Sequence, residues 1–389
     1  MRLNQRLYRG FACPQEGLDE PFAHQIAVVY AREYARRFLG RFGEELERKG
    51  RGLTGLIAAW LGQDQNSENG DFEAVWDPAF GELPQEVLSA GGLRVLQRAA
   101  ALGLRLHECG WHKDFELQLP PGTRLRWGPW LLPEAEWIGV SRAGGRFLVE
   151  MRCNGAAAKA RFWKSGTAWK AEGAAPLPQI AAQGRHFKIM LPPALGTMAP
   201  ELRAIAADEF PTNAAEALRK ACSILRQHAS PYWSWCSRVV RWILPTHAVD
   251  SAIRSAHSKE QPGVVQMSIC TAPAAVGEML VHEGSHFYFH IVDRLGPLHD
   301  GSDQNLYYSP VRRMGRPIYF ILMAYHAFAN VLLYYRLCQT SGLRDGGYCR
   351  KQEEDLRPQL EQLESALKKT SALTPAGKAL WRSLSQRIA

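Results

Sequence analysis

The hydrophobic and polar positions divide the chain into a helical beginning, a strand-rich middle and a helical end. Helical spacing predicts a long amphipathic helix over 21–49 and shorter helices over 53–61 and 85–104, with a polar loop at 63–71. From about residue 120, short aromatic and β-branched runs separated by Gly and Pro predict antiparallel strands and hairpins. These runs lie at 125–130, 137–140, 146–153, 160–164 and 186–191.

Helical periodicity returns after residue 199. It predicts helices over 214–227 and 232–243, then a strand over 263–270 that leads directly into a long helix. The last segment of the pattern, 353–369, is predicted to be a final, exposed helix.

One apolar run approaches the length of a membrane span. Residues 318–335, IYFILMAYHAFANVLLYY, contain almost no polar side chains. His326 and Asn330 lie in the middle of the run, and both are costly in lipid. The run is therefore predicted to be a buried core helix, with no membrane contact.

Composition and charge exclude some partners. The 389 residues are 46% hydrophobic and 22% charged, which is typical of a globular protein, and the net charge is +9. The densest basic cluster is only Arg312, Arg313 and Arg316, so nucleic-acid binding is not expected. The eight cysteines form no CxxC pair and the N-terminus has no apolar run of the signal-peptide type, so reduced thiols in the cytoplasm are predicted.

The strongest chemical motif is HExxH, at His282 to His286. Val276, Leu280, Phe287 and Ile291 are predicted to form one apolar stripe of the helix, about 60° wide. The two histidines are one turn apart and lie off this stripe, so both imidazoles can bind one metal ion. Glu283 lies beside them and can act on a ligand bound to the metal.

The identity of the third metal ligand is open. Neither the glycine nor the third histidine of the extended HExxHxxGxxH motif is present, because Phe289 and Val292 take their places. No acidic residue lies between Asp303 and Asp345, so His326 is the strongest candidate in that window. The alternative for His326 is a core histidine bonded to a backbone carbonyl or a tyrosine. Weaker ligand candidates are His290, Asp293, Asp300 and Asp303.

These elements predict an α+β fold, mainly helical, with a β-rich middle segment and a zincin-like strand followed by the HExxH helix. The predicted regions are a helical N-terminal region at 1–119, a β-rich segment at 120–195 and a helical metal-binding catalytic domain at 196–389. The strand over 263–270 could bind an extended peptide by edge pairing.

The C-terminal part resembles a known family. LVHEGSHFYFH, then YYSPVRRMGRP, then a long apolar helix ending AFANV, resembles the HExxH-motif peptide-modification proteins of ribosomal peptide natural-product pathways. These are also described as 2-oxoglutarate-dependent HExxH-type peptide β-hydroxylases. The similarity is clearest over 263–335 and is weak or absent in the first 200 residues.

The resemblance implies an oxygenase that uses Fe(II), 2-oxoglutarate and dioxygen to hydroxylate Cβ of a residue in a precursor peptide. A three-ligand site would leave positions for the 2-oxoacid and dioxygen. The distal carboxylate of 2-oxoglutarate usually pairs with an arginine. Arg316 is the first candidate and Arg312 or Arg313 the second, with hydroxyl donors from Tyr308 and Ser309. The alternative is that YYSP forms a turn and the arginines are solvated.

Two other functions fit parts of the pattern. A zinc metallopeptidase would use Glu283 as its general base, but lacks the expected acidic third ligand and leaves YYSPVRRMGRP unexplained. A non-catalytic peptide-binding protein with a structural metal would use the tryptophan-bearing segment at 120–190 as its binding surface. In an oxygenase, Glu283 would orient a ligand or a water molecule.

Overall fold

The structure is a computed structural model. It describes residues 5–18, 20–62, 76–81, 93–166, 168–177, 179–182, 185–189, 212–246, 254–258, 261–268, 272–343 and 346–389. The predicted loop at 63–71 and the first part of the predicted helix at 85–104 lie outside these ranges.

The α-helices of the described residues are concentrated at the two ends of the chain. They are α1 Gln5–Ala12, α2 Glu20–Lys49, α3 Leu53–Gly62, α4 Leu93–Glu108, α5 Thr212–His228, α6 Ser230–Val239, α7 Pro273–Leu295, α8 Ile318–Thr340, α9 Gly346–Lys369 and α10 Pro375–Ile388. Short 3-10 turns lie at Pro14–Glu16 and Pro78–Phe80.

The strands form four sheets within the described part. They are β1 Gly50–Arg51, β2 Phe115–Thr123, β3 Arg126–Trp127, β4 Trp130–Leu131, β5 Ala135–Ala143, β6 Arg146–Cys153, β7 Ala156–Ser165, β8 Ala168–Glu172, β9 Ala175–Pro176, β10 Gln179–Ala182, β11 Arg185–Ile189, β12 Trp242–Thr246, β13 Ser255–His257, β14 Val264–Ser268, β15 Tyr307–Ser309 and β16 Met314–Arg316. The predicted α+β fold class is confirmed.

The β-rich middle is an antiparallel sheet with strand order β1-β2-β5-β6-β7-β8. Alternate residues of β6 are buried, as expected for a sheet with one face against the core. Trp127 stacks on Phe162 at 4.7 Å between ring centroids on the buried side. Arg126 connects this region to the second sheet, because its guanidinium lies 3.7 Å above the Trp242 ring and also bonds the buried carboxylate of Asp77.

The second sheet has strand order β10-β11-β12-β14-β13. Strands β11, β12 and β14 run parallel, and β13 pairs antiparallel with β14. β14 therefore has neighbours on both sides, so the prediction that the strand over 263–270 offers a free edge is wrong. The outer position belongs to the short strand β13.

Helices α7 and α8 pack antiparallel in the centre of the helical region. Tyr334 of α8 donates a hydrogen bond to the Ala274 carbonyl at one end, and Tyr319 donates one to Asp293 at the other. In the described part of the chain α8 alone is long and apolar enough to cross a membrane, but 72% of its apolar window is buried inside the protein. This burial agrees with the predicted core helix.

Two predicted helices differ from the structure at their ends. The helix predicted over 232–243 ends at Val239, and Trp242 and Ile243 begin strand β12. The aromatic and β-branched run from Trp242 is buried at every position, which suits an internal strand better than a helix with one polar face. The helix predicted over 353–369 is also not the last, because α10 follows α9 and begins at a Thr374 cap.

His107 should make the fold acid-sensitive. Its side chain is fully buried among the rings of Phe115, Trp127 and Phe147. Burial, helped by nearby His112, lowers the pKa of His107 from 6.5 to about 4. A base whose pKa is lower in the folded state stabilises the fold fully above pH 6.5 and loses this contribution as the pH falls toward 4. The expected loss is about 2–3 kcal/mol between pH 7.5 and pH 4.5.

Urea unfolding of the wild type and of His107→Phe at both pH values measures this loss. The phenylalanine cannot be protonated, so the variant should lose about 2–3 kcal/mol less than the wild type over the same interval. Equal losses in the two proteins would contradict the assignment to His107.

Candidate metal centre

Helix α7 carries the HExxH residues through the interior of the protein. It begins at Pro273, which is tolerated in the first turn, and ends before Gly296. The predicted stripe of Val276, Leu280, Phe287 and Ile291 is buried, as expected, but the face with Glu283 and His286 is buried as well. The motif therefore lies inside the core rather than on a polar face.

Close packing against α6 explains the glycine inside the motif. A Cβ atom on Gly284 would lie 3.1 Å from the sulfur of Cys236, so a larger residue would require the Cys236 side chain or the helix to shift by a few tenths of an ångström. One turn further along, Tyr288 stacks on Trp235 at 4.0 Å and donates a hydrogen bond to the Trp235 carbonyl. These contacts fix the rotation of α7 and thereby the direction of its histidines.

His282 and His286 point at each other through the same ring nitrogen. Their Nε2 atoms are 3.0 Å apart and the rings meet edge to face. That spacing suits a hydrogen bond from a ring nitrogen that carries a proton to one that does not. It is also the spacing of two nitrogen ligands at right angles on one ion, since metal–nitrogen bonds of about 2.1 Å then put the nitrogens about 3.0 Å apart. The pair can therefore bind a metal with little movement.

Strand β13 brings a third histidine to this pair. Ser255 and His257 are two positions apart on the strand, so both side chains point toward α7 while Ala256 points away. The His257 ring stacks on the His286 ring with centroids 4.5 Å apart. His257, Glu283 and His286 each offer a ligand atom, and these atoms lie within 4.8 Å of one another. His282 is not one of these three and joins them through its 3.0 Å contact with His286.

Both carboxylate oxygens of Glu283 accept hydrogen bonds from β13. Ser255 donates its hydroxyl to Oε1 at 2.5 Å, and His257 approaches Oε2 through Nδ1 at 2.6 Å. Burial raises the pKa of Glu283, but the hydrogen bond and charge of His257, with smaller effects from His282 and Ser255, outweigh it and leave the pKa below its usual value. An ionised Glu283 fixes the proton of His257 on Nδ1, so Nε2 is left as the ligand atom.

The two motif histidines are held in the neutral form that binds metals. Burial lowers the pKa of His286 well below its usual value, and the neighbouring histidines lower it further. Burial also lowers the pKa of His282, despite the opposing effect of Glu283. The Nδ1 atom of His286 is buried with no hydrogen-bond partner among the described residues, and its Nε2 atom faces Nε2 of His282.

The weaker ligand candidates bond to residues other than the two motif histidines. His290 reaches the cluster through His257, with 3.0 Å between their Nε2 atoms, rather than through His282. Asp293 accepts a hydrogen bond from Tyr319, Asp300 from Ser302, and Asp303 from Tyr307 and Thr370. These three carboxylates do not belong to the group of ligand atoms found in the described residues.

His326 has the environment of a core histidine. Its side chain is fully buried, and Nε2 lies 3.0 Å from the Phe11 carbonyl. Burial lowers its pKa to about 4. It contributes no atom to the group of ligand atoms around His286. His257 is therefore our candidate third ligand in place of His326, because His257 belongs to that group of ligand atoms. Nε2 of His326 is bonded to the backbone, and its Nδ1, which has no hydrogen-bond partner among the described residues, lies outside the group.

The YYSPVRRMGRP segment forms a β-hairpin of β15 and β16 in which Tyr308 pairs with Gly315. Ser309 is buried, Tyr308 is exposed, and Arg312 and Arg313 are exposed at the turn. The Arg316 guanidinium lies 4.0 Å above the Phe320 ring at the start of α8. Within the described residues these side chains make no hydrogen bond or ion pair with the histidine cluster, so their predicted role in binding 2-oxoglutarate stays a prediction.

Sequence reasoning did not identify His257 or Ser255. The available signal was an alternating Ser-x-His pair just before the apolar strand β14, which suggests two polar side chains on one face of a neighbouring strand. The pair becomes informative only when β13 is placed against α7.

Comparison with known proteins does not place the chain in a family. No protein-family model matches the sequence. A search of curated proteins gives no significant match.

Proposed function

We propose that this protein is an Fe(II)- and 2-oxoglutarate-dependent oxygenase that hydroxylates Cβ of a residue in a ribosomally made precursor peptide. The observation that carries the proposal is the environment of Glu283, whose two oxygens are both engaged by β13 beside three imidazoles. A carboxylate held in this way is suited to positioning a ligand rather than to removing a proton from water.

The donor set fits a metal ion of this kind. Imidazole nitrogen suits Fe(II) as well as zinc, and three protein ligands leave coordination positions for substrates. Iron with a 2-oxoacid and dioxygen would supply the oxidising chemistry. The chain's own contribution would be His282, His286 and His257 as ligands, and Glu283 with Ser255 as the residues that orient His257.

The hairpin arginines are the proposed partners of the distal carboxylate of 2-oxoglutarate. Arg316 is preferred because it is partly buried beside α8, whereas Arg312 and Arg313 are exposed at the turn. The ring of Phe328, ten residues beyond Ile318 on α8, packs on His282 with 5.3 Å between ring centroids. Ten residues of helix span about 15 Å, so binding of one 2-oxoglutarate by both the metal and Arg316 would require the Arg316 side chain to leave Phe320 and extend along α8.

A cytoplasmic location belongs to the same proposal. Cys13, Cys222 and Cys236 are buried thiols outside any disulfide, and burial raises the pKa of each. Unreactive, reduced thiols suit a reducing compartment.

A zinc metallopeptidase is the second candidate. The observation that favours it is the position of β13, an outer antiparallel strand directly beside the HExxH helix, where an extended peptide could pair with the backbone. In that enzyme Glu283 would have to release Ser255 and His257 in order to act as a base.

Reconstitution separates the two candidates. The protein is loaded with Fe(II) or Zn(II) and offered the precursor peptide encoded beside its gene. We expect a mass gain of about 16 Da, one oxygen atom, that requires both Fe(II) and 2-oxoglutarate. Arg316→Met should raise the 2-oxoglutarate concentration needed for half-maximal rate by about tenfold or more, because a charge-assisted contact is lost.

One result would contradict the oxygenase proposal, and a second would contradict only the choice of Arg316. Cleavage of the peptide with Zn(II) alone would favour the peptidase. An unchanged 2-oxoglutarate requirement in Arg316→Met, with the requirement raised in Arg312→Met or Arg313→Met, would move the carboxylate site to the turn.

A further inference from the structure

The β15–β16 hairpin exposes an unusual amount of apolar surface. Five large hydrophobic side chains are exposed among the described residues, and four belong to this hairpin and its flanks: Leu306 at 66%, Tyr308 at 56%, Val311 at 46% and Met314 at 57%. Leu306 and Tyr308, two positions apart, project from one side of the hairpin and are called the hairpin face below, whereas Met314 pairs with Ser309 and projects from the other side. Clustered apolar side chains of this kind mark interaction surfaces more often than scattered ones do.

The backbone of the hairpin supports a docking role. Gly315 lies within a strand and does not have a positive φ, so no turn geometry requires a glycine there. A Cβ atom at Gly315 would lie 3.1 Å from Cβ of Leu306, so the bare glycine lets Leu306 pack against it. Gly315 itself is exposed and pairs with Tyr308, so the backbone is open to another chain at this point of the hairpin face.

The turn of the hairpin carries two arginines, and one of them has a strained backbone conformation. Arg313 has φ +52°, in the left-handed region that glycine adopts without strain, and its N–H bonds the Ser309 carbonyl. Arg312 and Arg313 are both exposed. No acidic residue occurs from Gln304 to Leu343, so nothing along this stretch neutralises them. The hairpin face is therefore apolar with a positive rim.

We propose that the hairpin face binds an acidic, apolar-containing segment of the peptide substrate. The identification of the partner as substrate rests on the proposed peptide oxygenase, whereas the preference for an acidic peptide rests on the charge of the turn. β15 and β16 form a two-stranded sheet, so each has an edge without a neighbouring strand in the described residues. An extended peptide can pair with such an edge while its alternate side chains contact the hairpin face.

The distance from the hairpin to the metal centre sets the number of peptide residues between the acidic segment and the modified residue. The hairpin leads into α8 at Ile318, and Phe328 packs on His282. The intervening helix spans about 15 Å, which an extended peptide covers in about five residues. The acidic segment should therefore lie about five or more residues from the residue that is modified.

The binding can be measured with a defined probe by fluorescence anisotropy. The probe is the fluorescein-labelled decapeptide Gly-Asp-Leu-Glu-Val-Asp-Tyr-Glu-Ser-Gly, compared with the same peptide carrying lysine at its four acidic positions. We expect the acidic peptide to bind about tenfold more tightly than the lysine peptide at low salt, and the preference to shrink as salt screens the charges. Arg312→Glu combined with Arg313→Glu should weaken acidic-peptide binding about tenfold or more.

Matched variants separate docking from folding. Arg350→Glu with Lys351→Glu makes the same charge change at an exposed pair on α9 and should leave binding unchanged. Tyr308→Ser should weaken binding, whereas Val29→Ser, at the exposed apolar residue of α2, should not. Arg313→Gly removes the charge and relieves the positive φ, so binding should weaken while urea stability stays the same or rises.

The His282→Ala variant distinguishes failure of the docking proposal from failure of the proposed oxygenase function. This variant should lose metal and still bind the acidic peptide, because the hairpin precedes α8 and lies ten helical residues from the contact of Phe328 with His282, about 15 Å along the axis. Equal binding of the acidic and lysine peptides would overturn the proposal, as would equal effects of the two double variants. Binding to vesicles containing phosphatidylserine, with no binding of the acidic peptide, would replace the peptide with a membrane surface and also overturn it.

Discussion

Replacing His257 with leucine should remove metal binding, whereas His326→Phe should retain it. His257 stacks on His286 and its Nδ1 is fixed by Glu283, so Nε2 is the ring nitrogen left for a metal. This Nε2 lies 3.0 Å from Nε2 of His290, within the histidine cluster. Nε2 of His326 is bonded to the Phe11 carbonyl. We expect His257→Leu to weaken metal affinity by at least about 100-fold, more than the loss usually caused by removing a residue that only orients a ligand.

Both variants can be compared by metal analysis after loading with one equivalent of Fe(II) without oxygen. His282→Ala is the positive control for loss of the site, and the wild type should hold about one ion per chain. The far-ultraviolet circular dichroism of each variant checks that it has folded. Loss of metal from His326→Phe, with full binding in His257→Leu, would restore His326 as the third ligand.

Glu283→Gln should weaken metal binding without abolishing turnover at saturating metal. A glutamine can still accept the hydrogen bond from Nδ1 of His257, and the Ser255 hydroxyl can rotate to accept from its amide. The variant therefore keeps the hydrogen-bond network but loses the negative charge that makes His257 a stronger ligand. The expected cost is about 10- to 100-fold in metal affinity.

This variant also distinguishes the two candidate functions. If Glu283 positions His257, the rate at saturating metal should fall by less than about tenfold, because the loss is in affinity. If Glu283 is the general base of a peptidase, metal affinity should be close to normal and the rate at saturating metal should fall by about 100-fold or more. Competition with a chelator gives the affinity, and turnover at saturating metal gives the rate.

The sequence predicted those parts of the site that lie on long periodic elements. Helix α7 was predicted from an apolar stripe several turns long and helix α8 from a continuous apolar run, so the existence of both follows from the local pattern. The burial of the HExxH face of α7 was not predicted, because it depends on the elements packed against that face. His282 and His286 were found for the same reason, since residues four apart on a helix share a face. The strand β6 was predicted with its observed ends, 146–153, because Gly-rich turns bound it on both sides.

The proposed third ligand, His257, could not be predicted from the sequence because its position depends on strand topology. β13 is three residues long and has no repeating pattern of its own, and its pairing with β14 is set by the tertiary fold. Placing His257 beside His286 required knowing that β13 takes the outer position of the sheet against α7. His326 was favoured because it is the one strong candidate for a metal ligand in an apolar run. Its hydrogen-bond partner is instead the carbonyl of Phe11, in the N-terminal segment, far away in sequence.

Crystallography of the protein loaded with Fe(II) under anaerobic conditions tests the metal centre most directly. An anomalous difference map at the iron absorption edge locates the ion independently of any assumption about its ligands. We predict one strong peak bonded to Nε2 of His282, His286 and His257, with Glu283 bonded to His257 and not to the metal. A peak bonded to His326 instead of His257, or no peak at the HExxH helix in a protein that retains iron, would contradict this account.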